Sequence, residues 1–180
     1  MVVSAPLFRK HGTVAWSAGD RVRLELLKGN FIQFFVLYMT GTATSGATAA
    51  TVHEDSPHNL ITKVEIEGDG ETLKNLSFIN LWAYTAMKTG VYPYQRKIGT
   101  SASTAYPYEA AALLWFGRDP FDKLNRLPSG IYKGFDLWIS WASSIDVMKT
   151  AGSALTNTTS PSLEVYGYEY PTGNPKPALF

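Results

Sequence analysis

The clearest pattern along the chain is an alternation of apolar and polar residues, which is typical of strands with one buried face. Residues 22–26 alternate in this way, and after Lys28-Gly29-Asn30 an almost continuously apolar run covers residues 31–39. Residues 19–40 are therefore predicted to form a hairpin of two strands. Because its second strand lacks polar positions, we expect that strand to be covered on both faces and to lie in the middle of a sheet.

A second hairpin and one helix are predicted in the centre of the chain. Alternation over residues 60–67 ends at Gly68-Asp69-Gly70, whose residues tolerate the positive φ of a tight turn into the next strand. Ser77 follows as an N-cap, apolar residues recur at spacings of three and four, and Gly90 supplies the stop. We expect one short helix near residues 77–88.

The remainder of the chain returns to strands that are separated by turns rich in Gly, Pro and Asn. The predicted strands are residues 110–116, 134–141, 145–149 and 162–170. About eight strands with one helix indicate an all-β sandwich or barrel. The 180 residues suffice for one domain with a sizeable core, so residues 1–180 are predicted to form a single domain.

Four segments fall outside this pattern. Residues 41–57 begin with a stretch of Gly, Thr, Ser and Ala, and residues 91–108 are rich in Tyr, Pro, Ser and Gly, so both are predicted to be loops. A loop as long as the second one suggests a function or a partner. Residues 1–18 and 171–180 are predicted to be extended tails that reach a neighbouring molecule or fray.

Composition favours a protein that assembles and argues against one that condenses nucleic acid. Charged residues make up 17% of the chain, which is below the usual quarter, and aromatic residues make up 13%. Aromatic side chains are enriched both in sheets and at interface cores. The net charge of +1 provides no overall field for binding nucleic acid or anionic lipid.

The chain has no cysteine, which excludes disulfides and thiolate chemistry. Its first ten residues contain Pro6 and lack the apolar core of a signal peptide, and no run of about 18 apolar residues occurs. We expect synthesis in the cytoplasm and no membrane span.

One segment resembles a metal site at first sight. His53 and His58 flank Glu54 and Asp55, but their spacing differs from the His-Glu-x-x-His pattern of a helical zinc site, and Pro57 prevents a regular helix. A solvated loop is the favoured interpretation, and no metal is expected.

Other catalytic patterns are weak. Glu65 and Glu67 occupy the polar face of an alternating strand, and Asp119 and Asp122 lie at a turn without the repeated aspartates of a calcium loop. No Gly-x-Ser-x-Gly motif surrounds a serine. We expect no catalytic residue, no cofactor, no small-molecule substrate and no enzymatic activity.

The aromatic residues leave two interpretations open. Tyr166, Tyr168 and Tyr170 share one face of the last predicted strand, whereas Trp138 and Trp141 fall on opposite faces of theirs. An exposed aromatic platform would bind carbohydrate. The other interpretation places these rings in the core and in contacts between subunits.

Two stretches resemble a known family. Residues 61–77 with the following helix around Trp82, and residues 112–120 followed by Leu127-Pro128-Ser129-Gly130 and residues 137–141, are similar to the jelly-roll major capsid proteins of tailless, internal-membrane bacteriophages and their archaeal relatives. The shared feature is the order of a strand, a glycine turn, a strand and a short helix, with a Leu-Pro-x-Gly turn before a later strand that ends near a tryptophan.

The resemblance implies a single jelly-roll domain that builds an icosahedral virion shell. Many members of the family carry two jelly rolls in one chain, so this chain is similar to the branch with single jelly rolls, in which homodimers or two different capsid proteins form the capsomers. The expected partners are further copies of the chain and a second capsid protein, with contact to an internal viral membrane also open. A carbohydrate-binding or receptor-binding β-sandwich module is the alternative.

Overall fold

The computed structural model describes residues 5–99, 101–117 and 125–171. These residues form twelve strands, one α-helix and three short 3₁₀ helices. The strands are β1 (Leu7–Ala15), β2 (Arg21–Glu25), β3 (Asn30–Ser45), β4 (Thr51–Val52), β5 (Ile61–Gly68), β6 (Glu71–Leu76), β7 (Gln95–Arg96), β8 (Ala105–Trp115), β9 (Leu127–Pro128), β10 (Phe135–Trp141), β11 (Lys149–Ala151) and β12 (Leu155–Pro171). The helix is α1 (Phe78–Thr89), and the 3₁₀ helices are His58–Leu60, Ser129–Ile131 and Ile145–Met148.

The strands form two facing sheets and a small separate pair. The first sheet has the order β1-β12-β3-β8-β7, with β9 also paired to β3, and the second has the order β2-β10-β5-β6, while β4 pairs with β11. When the short strands β4, β7, β9 and β11 are set aside, eight long strands remain. Apart from the hairpin of β5 and β6, successive long strands lie in opposite sheets, which is the order of a jelly roll. The predicted all-β jelly roll with one short helix is confirmed.

The core lies between the two sheets and follows directly from the alternation in the sequence. Along β10 every second residue is buried, starting at Phe135, and along β12 the buried positions include Leu163 and Val165. Leu37 of β3, in the first sheet, and Ile66 of β5, in the second sheet, are both fully buried. Burial of such side chains is the main favourable contribution to folding.

The prediction of an extended tail over residues 1–18 is wrong, because residues 7–15 form β1. This strand pairs antiparallel with β12 from Leu7 opposite Glu169 to Ala15 opposite Ser162, with an irregularity between Lys10 and Gly12. The irregularity changes which side chains face inward, so the local sequence does not alternate cleanly. At the other predicted tail, Pro171 ends β12, and residues 172–180 lie outside the described residues.

The first predicted hairpin is also wrong, although both of its strands exist. β2 pairs with β10 in the second sheet, whereas β3 pairs with β12 and β8 in the first, so the chain crosses between the sheets at residues 26–29. The central position of β3 is confirmed. The second hairpin, β5 with β6, is confirmed, and its turn has positive φ at Asp69 and Gly70.

Both predicted loops are partly strand. β3 continues to Ser45, and β8 already begins at Ala105, because the two strands pair with each other as far as Thr44 opposite Ala105. Gly41 is needed in this region, since a Cβ there would lie 2.3 Å from the Tyr108 hydroxyl oxygen. The predicted strand over residues 145–149 is instead the 3₁₀ helix Ile145–Met148, with Lys149 beginning β11.

Helix α1 begins and ends as predicted. The Ser77 side chain accepts a hydrogen bond from the backbone N–H of Asn80 at 3.3 Å, and Gly90 has the left-handed φ of 72° that suits a C-cap. The helix lies along the edge of β8. There the Thr85 hydroxyl accepts from the Leu113 N–H at 3.1 Å and lies 3.2 Å from the Leu113 carbonyl oxygen.

Candidate assembly surface

The outer face of the first sheet carries a row of aromatic rings across four strands. The pairing register places Phe8 of β1 opposite Tyr168 of β12, Tyr168 opposite Phe34 of β3, and Phe34 opposite Trp115 of β8. The Phe34 ring stacks on Tyr168 with centroids 4.9 Å apart and contacts Trp115 at 4.4 Å. Cross-strand aromatic pairs of this kind stabilise a sheet and leave an apolar outer surface.

A second row continues this surface. Tyr166 lies opposite Val36, and Val36 lies opposite Leu113, while the Phe8 ring stacks on Tyr166 at 5.2 Å. We define the outer aromatic face as Phe8, Phe34, Val36, Leu113, Tyr166 and Tyr168, because Trp115 at the end of the first row is only 4% exposed. Phe8 is 62% exposed. The prediction that Tyr166, Tyr168 and Tyr170 share one face is confirmed, since the residues between them are buried.

Charged groups lie at two places beside the outer aromatic face: Lys10 and Glu164 are close to Tyr166, and Arg126 lies over the Tyr170 ring at 3.4 Å. Lys10 forms an ion pair with Glu164, and its hydrogen bond holds the pKa of the Glu164 carboxyl below its usual range. Further along the sheet the Tyr38 hydroxyl donates to Glu109 at 2.6 Å, which raises the pKa of Tyr38 to about 12.

A buried polar cluster lies on the inner side of the same strands. The His11 imidazole Nδ1 accepts from the Leu27 N–H at 3.0 Å, so its Nε2 carries the hydrogen and donates to Glu169 at 2.5 Å. The Asn30 amide also donates to Glu169, at 2.6 Å. Although burial opposes ionisation, these hydrogen bonds keep the pKa of Glu169 below its usual value. The cluster joins β1, β3 and β12 and is enclosed, which indicates a structural role.

The predicted solvated loop around the histidine pair is only half correct. His53 is exposed, but His58 is fully buried against the rings of Phe78 and Trp82, at centroid distances of 5.6 Å and 5.0 Å. Burial lowers the pKa of His58 to about 4, outweighing the opposite effect of Asp55. Within the described residues, no group of three or more His, Asp or Glu side chains is placed to hold a metal ion.

The remaining candidate residues have structural partners. Arg21 forms ion pairs with Glu65 and Glu67 and lies over the Trp138 ring at 4.1 Å. Trp138 is on the outer face of the second sheet, while Trp141 is buried in the core, so their predicted placement on opposite faces is confirmed. Asp119 and Asp122 lie outside the described residues.

The strand order, the two facing sheets and the helix between β6 and β8 define a jelly-roll domain. No family model and no curated protein matches the chain. Solved capsid structures do match: the STIV MCP, from Sulfolobus Turreted Icosahedral Virus, superposes with a TM-score of 0.71 at 19% identity, over 92% of this chain and 49% of that one.

Two further solved capsid proteins match the chain. The major capsid protein P2 of bacteriophage PM2 matches with a TM-score of 0.53 at 13% identity, over 95% of this chain and 52% of its own. A chain of the PBCV-1 virus capsid matches with a TM-score of 0.60 at 17% identity, over 92% and 42%. The chain thus spans about half the length of the solved chains it matches, and it shares the fold of these capsid proteins. No helix of the described residues is long and apolar enough to cross a membrane.

Proposed function

We propose that the chain is a structural capsid subunit that associates with copies of itself in a virion shell. The observation that carries this proposal is the jelly roll that matches major capsid proteins over nearly the whole chain, with a TM-score of up to 0.71. The outer aromatic face supports it, because contiguous apolar surface of this kind marks protein contacts. This function needs no catalysis and no cofactor.

The length of the matched capsid proteins supports association between domains of this size. This chain corresponds to 49% of the STIV MCP and 52% of the PM2 protein, so each of those chains contains a comparable length beyond the matched part. A second copy of this chain, or a second capsid protein of similar size, would take that place. Contact with an internal viral membrane and synthesis in the host cytoplasm belong to the same proposal.

The outer aromatic face is the surface that we assign to pairing of two copies. Aromatic side chains contribute much of the binding energy at interfaces, and a stable interface buries about 800 Å² on each partner. Lys10 and Glu164 beside the face neutralise each other, and Arg126 lies over the Tyr170 ring of its own chain, so two such faces can meet without breaking these contacts.

Light scattering across a concentration series tests the proposal. The wild-type protein should associate, and the variant Phe8→Glu/Tyr168→Glu should weaken association about tenfold or more, because it buries charge in the interface. A matched control, Thr13→Glu/Thr42→Glu, adds the same charge to the polar end of the same sheet and should leave association unchanged. Circular dichroism confirms that each variant is folded.

Failure of the wild-type protein to associate would favour the alternative function, a carbohydrate-binding or receptor-binding module. A wild-type protein that stays monomeric at every concentration, both alone and with a second capsid protein, contradicts the capsid proposal. Binding of a glycan by that monomer, abolished by Phe8→Glu/Tyr168→Glu, would assign the aromatic rings to carbohydrate recognition instead.

A further inference from the structure

A groove opens at the edge of the sandwich where α1 contacts both sheets. It has a volume of about 380 Å³, which lies within the range of pockets that bind small molecules, about 300–1,000 Å³. β6 contributes Lys74 and Leu76 to its wall, β8 contributes Leu114 and Trp115, and α1 contributes its side from Asn80 to Met87. We call this site the edge groove.

The edge groove opens directly onto the apolar core. Lys74 and Leu76 pair with Ile66 and Val64 of β5, and both of these partners are fully buried. Because residues directly opposite each other on two strands share one face, Lys74 and Leu76 lie on the inner face of the second sheet. Leu114, which is 1% exposed, lines the groove from the first sheet. The floor of the groove is therefore hydrophobic.

The side of the groove that α1 forms is apolar as well. Leu81 is buried, the small side chain of Ala83 leaves room, and Met87 is 84% exposed. The flexible, unbranched methionine side chain adapts to the shape of an apolar ligand. A hydrocarbon chain in the groove would cover this methionine and remove apolar surface from water.

Lys74 carries the only charge among the described residues that line the edge groove. Its ammonium group has no ion pair or hydrogen bond within the described ranges, and residues 72–108 contain no Asp or Glu. By contrast, nearby Lys88 lies over the Tyr84 ring at 5.0 Å and donates to the Gly117 carbonyl at 3.2 Å. Lys74 is therefore the cation that is available to an anionic ligand.

The wall also contains a hydrogen-bond donor without a partner. Trp115 is only 4% exposed, and its indole N–H has no acceptor among the described residues. A buried N–H of this kind costs free energy until an acceptor reaches it. One cation and one donor beside an apolar floor match a molecule with a hydrocarbon chain and an anionic oxygen group at its end.

We propose that the edge groove binds a free fatty acid, with the acyl chain along the apolar floor and the carboxylate paired with Lys74. A phospholipid fits less well, because it has two chains and because a phosphate group is best held by several donors. The fatty acid is bound and not converted. Its binding goes beyond the proposed function and does not depend on it.

Isothermal titration calorimetry at neutral pH tests the site with decanoate and with decanol, which lacks the charge. The wild-type chain should bind both. Lys74→Met keeps the apolar stem and should weaken decanoate binding about tenfold, because it removes a charge-assisted hydrogen bond, while leaving decanol binding nearly unchanged. Met87→Asp should weaken binding of both molecules about tenfold or more, because it places a charge beside the hydrocarbon chain.

Lys97→Met is the matched control, since it removes an exposed lysine outside the edge groove, and it should bind decanoate like the wild type. Circular dichroism confirms that each variant is folded. The inference is overturned if the wild-type chain does not bind decanoate, if Lys74→Met or Met87→Asp binds it unchanged, or if Lys97→Met weakens binding as much as Lys74→Met. It is also overturned if the wild-type chain binds phosphatidylserine vesicles but not decanoate, which would assign the groove to a membrane surface.

Light scattering of the same samples separates this result from the proposed function. A chain that associates but binds no decanoate overturns the fatty-acid site alone. A chain that binds decanoate but stays monomeric at every concentration, both alone and with a second capsid protein, contradicts the capsid proposal alone.

Discussion

At the scale of single residues, His58 shows how burial changes a side chain that the sequence places in a polar loop. His58 is fully buried, and neither of its ring nitrogens has a hydrogen-bond partner among the described residues. Burial lowers the pKa of His58 from 6.5 to about 4. The folded protein therefore holds His58 neutral in a range where the unfolded chain protonates it.

This difference predicts a loss of stability in acid. The unfolded chain binds a proton at His58 below about pH 6.5, and the folded chain does so only near pH 4, so the free energy of unfolding falls as the pH decreases through this window. The full contribution is about 3 kcal/mol. His58→Phe should remove this part of the pH dependence in denaturant titrations. His53→Phe, which changes an exposed histidine in the same loop, should retain it, and equal pH profiles for all three proteins would contradict the assignment.

A second residue-scale prediction concerns the space around the buried carboxylate. A Cβ at Gly167 would lie 2.5 Å from His11 Nε2 and 2.7 Å from Glu169 Oε1, so Gly167→Ala must displace this hydrogen-bonded pair. We expect the free energy of unfolding to fall by about 1–3 kcal/mol, because the substitution both overpacks the core and disturbs a buried hydrogen bond. At Gly134 a Cβ would meet only Asp69 Oδ1, at 4.0 Å, and Gly134→Ala should change stability by less than about 1 kcal/mol. Chemical denaturation of both variants checks this difference.

At the scale of elements, α1 protects an edge that would otherwise be open. Only Ala110 and Glu109 of β8 pair with β7, so the later part of β8 has no strand on that side among the described residues. Thr85 of α1 accepts the Leu113 N–H and also lies within hydrogen-bonding distance of its carbonyl. Covering an edge strand with a helix is a common protection against unwanted strand pairing.

Removing the Thr85 hydroxyl should therefore lower the stability of the folded protein more than its position on a short helix suggests. Thr85→Val keeps the shape but leaves the Leu113 N–H unsatisfied, at a cost of about 1–3 kcal/mol. Thr89→Val removes a similar hydroxyl bond to the Thr85 carbonyl at the exposed end of α1 and should cost less than about 1 kcal/mol. Thermal unfolding of the two variants measures the difference, and equal losses would mean that Thr85 acts only within the helix.

The same elements show what local sequence could predict. The N-cap Ser77, the stop at Gly90 and the turn at Asp69-Gly70 depend on neighbouring residues, and each was predicted. Membership of a sheet depends on distant residues: β1 pairs with β12, about 150 positions away, and β2 pairs with β10 instead of its neighbour β3. The outer aromatic face was likewise recognisable only in part, because its residues come from four strands and become one surface only through their register.

At the scale of the whole molecule, pairing through the outer aromatic face should respond only weakly to salt. The face is mainly apolar, and Lys10 beside it is paired with Glu164 of the same chain. Screening weakens attraction between exposed charges and leaves apolar burial intact. Raising salt from about 0.1 M to about 0.5 M should therefore retain pairing of two copies.

Light scattering of two proteins across this salt range tests this prediction. The wild-type chain should keep its association, and Phe8→Glu/Tyr168→Glu should stay weakened at every salt concentration. Dissociation of the wild-type chain by salt would mean that pairing depends on charge after all. The outer aromatic face would then serve the fold of the sheet, and the copies would have to meet through charged surfaces instead.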